Sequence, residues 1–183
     1  MPVEQEIKLE FPDVETARRA VVDAGGRLVI ARRLIDDQLF DTTDAALRRA
    51  GTALRLRREG EVSRLTWKGP LQPGPVKSRE ELETTIGDVS AMYATLIALG
   101  YRPQFRAQKY REEYTLDSAI VTVDQAPFGV FVEVEAPPDI ISAVTVRLGR
   151  STADYRLESY PTLWRRWCEA HDRQFADMMF ETL

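Results

Sequence analysis

The strongest constraint on how this chain folds is an alternation of charged and uncharged side chains that recurs along it. The first segment, EQEIK, places Glu4, Glu6 and Lys8 at alternate positions, with mainly aliphatic residues in the opposite phase. Side chains two residues apart on a β-strand point to the same face. The segment is therefore predicted to be a strand with one charged face and one aliphatic face.

Six further segments show the same alternation. Together with the first, they place seven bases and seven acids on the charged faces of predicted strands. The additional charged positions are Arg55, Arg57, Lys68, Arg79, Glu81, Glu83, Lys109, Arg111, Asp124, Glu133 and Glu135. For a single strand, the simplest interpretation is a half-buried strand whose polar face meets solvent. For the whole set, the alternative is a closed barrel whose charged faces line the lumen and whose aliphatic faces pack outward under helices.

Turn and cap signals divide the chain into about eight strands and four helices. Gly60 and Glu61 separate two alternating runs, which is typical of a β-hairpin. The segment PLQPGPVKS is predicted to be a loop, in which Lys77 is expected to be solvated. The predicted class is α+β, with an eight-stranded antiparallel β-barrel that forms a tunnel and carries flanking helices.

Length and charge restrict the class of protein. The 183 residues, 44% of them hydrophobic, suffice for one domain with its own core. No apolar run approaches the roughly 18 residues that span a bilayer, so no membrane association is expected. The net charge of -4 argues against a broad nucleic-acid-binding surface. A lone cysteine, Cys168, fits the cytoplasm and is expected to be inert, and the single histidine, His171, is expected to be structural or exposed.

A lumen lined by both bases and acids indicates the kind of ligand it would hold. Buried charge without a partner costs several kcal/mol per ion, so such a lumen needs a ligand of matching charge. Arginine and lysine suit phosphate oxygens. The acids cannot contact the same phosphates directly, which implies an intervening Mg²⁺ or Mn²⁺.

The motifs, taken in order, resemble those of the CYTH domain, or triphosphate tunnel metalloenzyme, family. The matching segments are EQEIK, ALRLRR, LTWKGP, SREELE, KYREEY and VTVDQAPFGVFVEVE. The resemblance covers roughly residues 3 to 165 and implies a single domain of this type over residues 1–183. It also implies an eight-stranded antiparallel tunnel, the fold that the alternation suggests independently.

The resemblance further implies a role for each matched residue. The residues implied to hold divalent metals are Glu4, Glu6, Glu133, Glu135 and Asp124. The bases implied to bind a triphosphate are Lys8, Arg55, Arg57, Lys68, Arg79, Lys109 and Arg111, with Glu81 and Glu83 supporting them on the same strand as Arg79. The residues assigned to the catalytic step are Lys8, Arg57, Lys109 and Asp124. No side-chain nucleophile is required.

Three functions are compatible with these residues. The first is a metal-dependent triphosphatase acting on tripolyphosphate, ATP or thiamine triphosphate, and the second is a class IV adenylyl cyclase that converts ATP to cyclic AMP and pyrophosphate. The third is a triphosphate-binding module without activity. Members specific for thiamine triphosphate are similar in carrying a late lysine that this chain lacks, and the candidates to replace it are Arg156, Arg165 and Arg166. A homodimer is the expected assembly.

Overall fold

The computed structural model describes residues 2–180, so Met1 and residues 181–183 of the predicted domain lie outside the described residues. Within that part of the chain there are nine strands and five α-helices. The strands are β1 (Val3–Phe11), β2 (Arg27–Thr42), β3 (Ala53–Glu59), β4 (Val62–Lys68), β5 (Lys77–Ile86), β6 (Tyr101–Leu116), β7 (Ala119–Ala126), β8 (Gly129–Glu135) and β9 (Tyr155–Arg156). The helices are α1 (Val14–Asp23), α2 (Ala46–Arg49), α3 (Val89–Ala98), α4 (Pro138–Arg147) and α5 (Tyr160–Ala170).

The first eight strands form a closed antiparallel barrel, as predicted. Their order is β5-β4-β3-β2-β6-β7-β8-β1, and pairing between β1 and β5 closes the ring. The ninth strand was not predicted. It pairs with β1 at Lys8, opposite Arg156, whereas β5 pairs with residues 3–6 of the same strand. The predicted hairpin at Gly60 joins β3 to β4.

The strand register places opposite charges next to each other across neighbouring strands. Residues that face each other in an antiparallel pair have side chains close enough to interact. The opposed pairs that carry opposite charges inside the barrel are Glu4 with Arg79, Glu6 with Lys77, Lys8 with Glu133, Asp37 with Arg57, Lys68 with Glu81, and Arg111 with Asp124. The register also opposes like charges, Glu6 with Glu135, Arg33 with Arg111 and Arg57 with Arg64, so the inward charges are only partly arranged as opposite pairs.

The aliphatic faces of the strands form the core outside the barrel. Ile7 and Val134 are fully buried in a cluster that also takes Val21 from α1 and Ile141 from α4. The first helix begins where the sequence indicates, because the Asp13 carboxylate accepts a hydrogen bond from the Thr16 amide at 2.7 Å. A second cluster packs beneath α3. None of the helices in residues 2–180 is long and apolar enough to cross a membrane.

One end of the barrel is filled by α5 and the segment that follows it. Inward-facing Phe105 and Phe131 pack with Trp164 and Cys168 of the helix and with Met178. The backbone of Met178 is tied to β6, since its amide donates to the Arg106 carbonyl and its carbonyl accepts from the Gln108 amide. The charged part of the lumen therefore has an apolar floor.

Candidate active site

The barrel encloses a cavity of about 490 Å³ whose lining is dominated by charge. Among residues 2–180, ten basic and nine acidic side chains line it. Thirteen of the fourteen charged residues predicted to face inward are in this lining, and the exception is Asp124. Bases and acids are thus almost balanced in number, and the lumen is close to neutral without a ligand.

Acidic residues gather at one rim of the cavity. The Lys68 ammonium lies 2.7 Å from Glu4 and 2.5 Å from Glu81. Burial and the neighbouring Glu6 charge raise the pKa of Glu4. Glu135 is accessible to solvent at this rim, and partial burial of its carboxylate, with the charges of Glu4, Glu6 and Glu81, raises its pKa as well. A single lysine does not neutralise this set of carboxylates.

This rim has the donor chemistry of a site for a hard divalent cation. Carboxylate oxygens are the ligands that Mg²⁺ and Mn²⁺ prefer, and a cation between them would relieve the repulsion that raises the two pKa values. Within the described residues, however, no three acidic, histidine or cysteine side chains are already arranged around one point as a ligand set. The residues fit a metal by chemistry, and binding would draw the carboxylates together.

Deeper in the barrel, two lysines hold the remaining β1 acid. Lys8, whose side chain is 2% exposed, lies 3.1 Å from Glu6 and 3.2 Å from Glu133. Lys77 also pairs with Glu6. Burial by itself would favour neutral forms, but the mutual attraction prevails: the pKa of Glu6 falls well below its ordinary value, and that of Lys8 rises.

The prediction that Lys77 is solvated in a loop is wrong. Lys77 is the first residue of β5 and faces Glu6 on β1, so the strand directs its side chain into the barrel, where it is 9% exposed. All four lysines of the chain therefore line the cavity.

Asp124 faces inward with Thr122 but is covered by the bases it supports, so it does not line the cavity. Its side chain is completely buried. The carboxylate accepts hydrogen bonds from Lys109 at 2.6 Å, from Arg111 at 2.7 and 2.6 Å, and from the Tyr160 hydroxyl at 2.8 Å. Arg111 also pairs with Glu133. Burial and the adjacent Arg111 charge lower the pKa of Lys109 to about 8. Within residues 2–180, the hydrogen bonds and ion pairs of the Asp124 carboxylate are with two bases and a hydroxyl.

A third group of charges lies on β2, β3 and β5. Arg57 makes a bidentate contact with Asp37, at 2.7 and 2.8 Å.

Three buried side-chain polar atoms of the described residues have no hydrogen-bond partner within the protein: Arg55 Nε, Arg79 Nε and Thr122 Oγ1. All three residues line the cavity. Buried donors are normally satisfied, so these three atoms mark a part of the barrel wall where the protein leaves hydrogen-bonding capacity unused.

Sequence reasoning missed several charged residues of the lining. They are Arg33, Asp37, Glu59, Arg64, Lys77 and Glu113. On β2, the inward positions alternate Arg33 and Asp37 with Ile35 and Leu39, so this strand has no uniformly charged face to detect. The strands β3 and β4 extend further than the quoted motifs, and Glu113 lies inside KYREEY, two positions after Arg111. Continuing the period of two would have found Glu59, Arg64 and Glu113.

The three arginines considered as replacements for a late lysine do not line the cavity. Arg156 lies 3.9 Å from Glu10, Arg165 stacks on the Phe175 ring, and Arg166 pairs with Glu158. The expectation that His171 is structural or exposed is confirmed, and that of an inert Cys168 stays a prediction. Cys168 is buried. His171 is exposed and stacks on Trp167.

The fold and the site together define a class: a closed antiparallel β-barrel with a charged lumen of small-ligand size. Comparison with protein families makes the assignment specific. The model of the CYTH domain matches residues 3–146, and the chain belongs to this family. The resemblance read from the motifs is thereby confirmed.

Individual relatives match most of the chain, one by sequence and two by structure. The chain is 29% identical over 134 residues to a protein of Methanocaldococcus jannaschii named "putative adenylate cyclase", covering 73% of this chain and 76% of that one. A "putative adenylate cyclase" structure from Vibrio parahaemolyticus matches with a TM-score of 0.78 at 20% identity, over 87% of this chain and 96% of that one. A Hippeastrum protein described as a "putative adenylyl cyclase" with "a dominant triphosphatase activity" matches with a TM-score of 0.67 at 17% identity, over 89% and 95%.

Proposed function

We propose that this protein is a divalent-metal-dependent triphosphatase that hydrolyses tripolyphosphate or a nucleoside or thiamine triphosphate inside the barrel. The observation that carries the proposal is the charge balance of the lumen, with ten bases against nine acids. A triphosphate alone would satisfy the bases and leave the carboxylates without partners, which is costly in a confined site. A triphosphate bound together with divalent metal satisfies both sets.

The paired arrangement suggests how such a ligand enters. Without ligand, Lys8, Lys77 and Arg111 are paired with Glu6 and Glu133. Phosphate oxygens would compete for these bases, and the carboxylates released would turn to the metal. Ligand and metal would therefore bind cooperatively, because phosphate releases the carboxylates that the metal requires and the metal releases the bases that phosphate requires.

Each part of the lumen then has a role in hydrolysis. Glu4 and Glu135 would hold Mg²⁺ or Mn²⁺ at the rim, with Glu6 and Glu133 as further oxygen donors. A metal held there would supply charge neutralisation and lower the pKa of a water. Lys8, Arg57 and Lys109 would stabilise negative charge on the transferring phosphoryl group, while Arg55 and Arg79, which also line the cavity, would orient the phosphate chain. Asp124 would keep Lys109 and Arg111 in place.

Class IV adenylyl cyclase activity is the second candidate. It is favoured by the names given to the Methanocaldococcus and Vibrio proteins. A cyclase would use the same phosphate and metal groups, with the ribose 3′-hydroxyl of ATP in place of water as the nucleophile. A binding module without activity is disfavoured, because a pure anion site does not need the acidic rim.

Product analysis separates these functions. The protein is incubated with tripolyphosphate or ATP, in Mg²⁺, in Mn²⁺ or in a chelator, and orthophosphate, pyrophosphate and cyclic AMP are measured. We expect orthophosphate without cyclic AMP, and no product with chelator. Cyclic AMP with an equal amount of pyrophosphate would establish the cyclase instead. Tight tripolyphosphate binding without turnover would identify a binding module.

Matched variants tie the activity to the lumen. Glu135→Gln keeps the size of the side chain and should weaken Mn²⁺ affinity, whereas Glu61→Gln, in the exposed β3–β4 turn, should not. Arg57→Ala should weaken tripolyphosphate binding more than metal binding, and Arg19→Ala, an exposed arginine on α1, serves as its control. If each variant of the lumen binds Mn²⁺ or tripolyphosphate as tightly as its control variant, the barrel is not the binding site.

A further inference from the structure

The C-terminal helix contributes one residue to the charged lumen. Tyr160, the first residue of α5, lies outside the residues that match the family model, yet it lines the cavity. Its ring packs edge-on against Phe131, with centroids 5.5 Å apart. Its hydroxyl donates to Asp124 at 2.8 Å across 36 positions of sequence. The helix that fills one end of the barrel is therefore bonded directly to the carboxylate that supports the bases.

The two bases that share Asp124 are not held equally. Arg111 grips both carboxylate oxygens and also pairs with Glu133. Lys109 has one close contact, with Asp124 Oδ2 at 2.6 Å, and its next acidic partner is Glu133 at 3.9 Å. Oδ2 is the oxygen to which the Tyr160 hydroxyl also donates. The orientation of Lys109 therefore depends on one oxygen atom that Tyr160 helps to fix.

The ring of Tyr160 acts on the same lysine. The Lys109 ammonium lies 4.3 Å from the centre of the ring, within the range of a cation–π contact, and that of Lys8 lies at 5.3 Å. Burial and the nearby carboxylates of Asp124 and Glu133 raise the pKa of the Tyr160 hydroxyl well above its ordinary value, so it stays protonated and donates. A neutral hydroxyl of this kind is suited to holding another group in place.

The position of Tyr160 is itself fixed by the packing of its helix. Trp164, one turn further along α5, is 3% exposed, and its indole nitrogen donates to the Ala176 carbonyl at 2.8 Å. The segment after Ala176 is bonded to β6, the strand that carries Lys109. The helix α5 and Lys109 are thus connected through the segment after Ala176, and a shift of α5 would disturb the position of Lys109.

We propose that Tyr160 is a positioning residue for Lys109: it holds the ammonium group, through Asp124 and through its own ring, where it meets a phosphate oxygen of the substrate. The inference rests on the proposed triphosphate site. It gives the C-terminal helix a role in ligand binding in addition to closing the barrel.

A double-mutant cycle with Tyr160→Phe and Lys109→Met tests the inference. Tripolyphosphate affinity is measured by calorimetry in chelator, where the proposed hydrolase does not turn over, and turnover in Mg²⁺ is measured in parallel. Tyr160→Phe keeps the ring and removes the hydroxyl, and loss of a hydrogen bond to a charged group should weaken affinity about tenfold. Tyr93→Phe, on α3 outside the barrel, is the matched control. Thermal melting shows whether each variant keeps its fold.

The cycle distinguishes positioning from a general structural effect. If Tyr160 acts through Lys109, Tyr160→Phe has little further effect when Lys109→Met is already present. An equal loss in both backgrounds, or wild-type affinity in Tyr160→Phe, overturns the inference. The proposed function fails separately: absence of turnover in the wild-type protein refutes the hydrolase, while the cycle still reports on Lys109 through binding.

Discussion

The most informative single substitution is Lys77→Met, because the sequence and the structure assign this residue opposite environments. Methionine keeps the length of the side chain and removes the charge. The side chains of Lys77 and Glu6 are each 9% exposed, so the substitution leaves a buried carboxylate with one fewer partner. Glu6 retains Lys8 at 3.1 Å, but Lys8 is shared with Glu133 at 3.2 Å and cannot replace both lysines.

The expected cost follows from the burial of this pair. Removing one member of a buried ion pair usually destabilises a protein by about 3–5 kcal/mol, and the remaining contact with Lys8 places the estimate at the lower end, about 3 kcal/mol. For a chain of this size, 1 kcal/mol corresponds to roughly 2–4 °C in Tm, so Lys77→Met should lower Tm by about 6–12 °C. An exposed lysine would contribute less than about 0.5 kcal/mol.

The assay is thermal unfolding with and without Mg²⁺ and tripolyphosphate, with Arg19→Met as the control. The control removes an exposed cation from α1 and should leave Tm nearly unchanged. Ligand should raise the Tm of the wild-type protein, and raise that of Lys77→Met by less, because a cation of the lumen is missing. If Lys77→Met and Arg19→Met have the same Tm and the same rise in Tm with ligand, Lys77 is solvated and the position of β5 in the barrel is wrong.

Three further predictions follow from burial in and around the lumen. Because the pKa of Lys109 is lowered to about 8, this lysine is charged at pH 7 and loses its charge as the pH rises through 8. Tripolyphosphate affinity should contain a component that falls between about pH 7 and 9 and is absent in Lys109→Met; identical pH profiles would contradict this. The side chains of the four lysines are between 2% and 13% exposed, so amine-reactive reagents should modify them slowly in the native protein and quickly after unfolding, as mass spectrometry would show. Cys168 is fully buried, and burial raises the pKa of its thiol. A thiol reagent should therefore react with it only in denaturant. Rapid reaction in the native protein would be inconsistent with α5 filling the end of the barrel.

Much of the barrel could be predicted because its signal is local. A period of two separates the charged and aliphatic faces of a strand without reference to any other strand, as Glu4, Glu6 and Lys8 illustrate. The caps and turns are local as well: Asp13 starts α1, and Gly60 marks the β3–β4 hairpin. The prediction failed where the local signal was absent, as on β2, or misleading, as in the proline-rich segment before Lys77.

The amino-acid sequence by itself determined that seven strands have a charged face, that these faces hold similar numbers of acids and bases, and that the motifs belong to one family. Only the tertiary structure decided which acid meets which base. Those pairings depend on register between strands distant in sequence, such as Glu6 with Lys77, and on the helix that brings Tyr160 to Asp124. Side-chain direction follows from the backbone of a single strand, whereas the environment of a charge depends on every element that surrounds it. Asp124 therefore faces inward as predicted but is covered by Lys109, Arg111 and Tyr160, while the other thirteen predicted charges line the cavity.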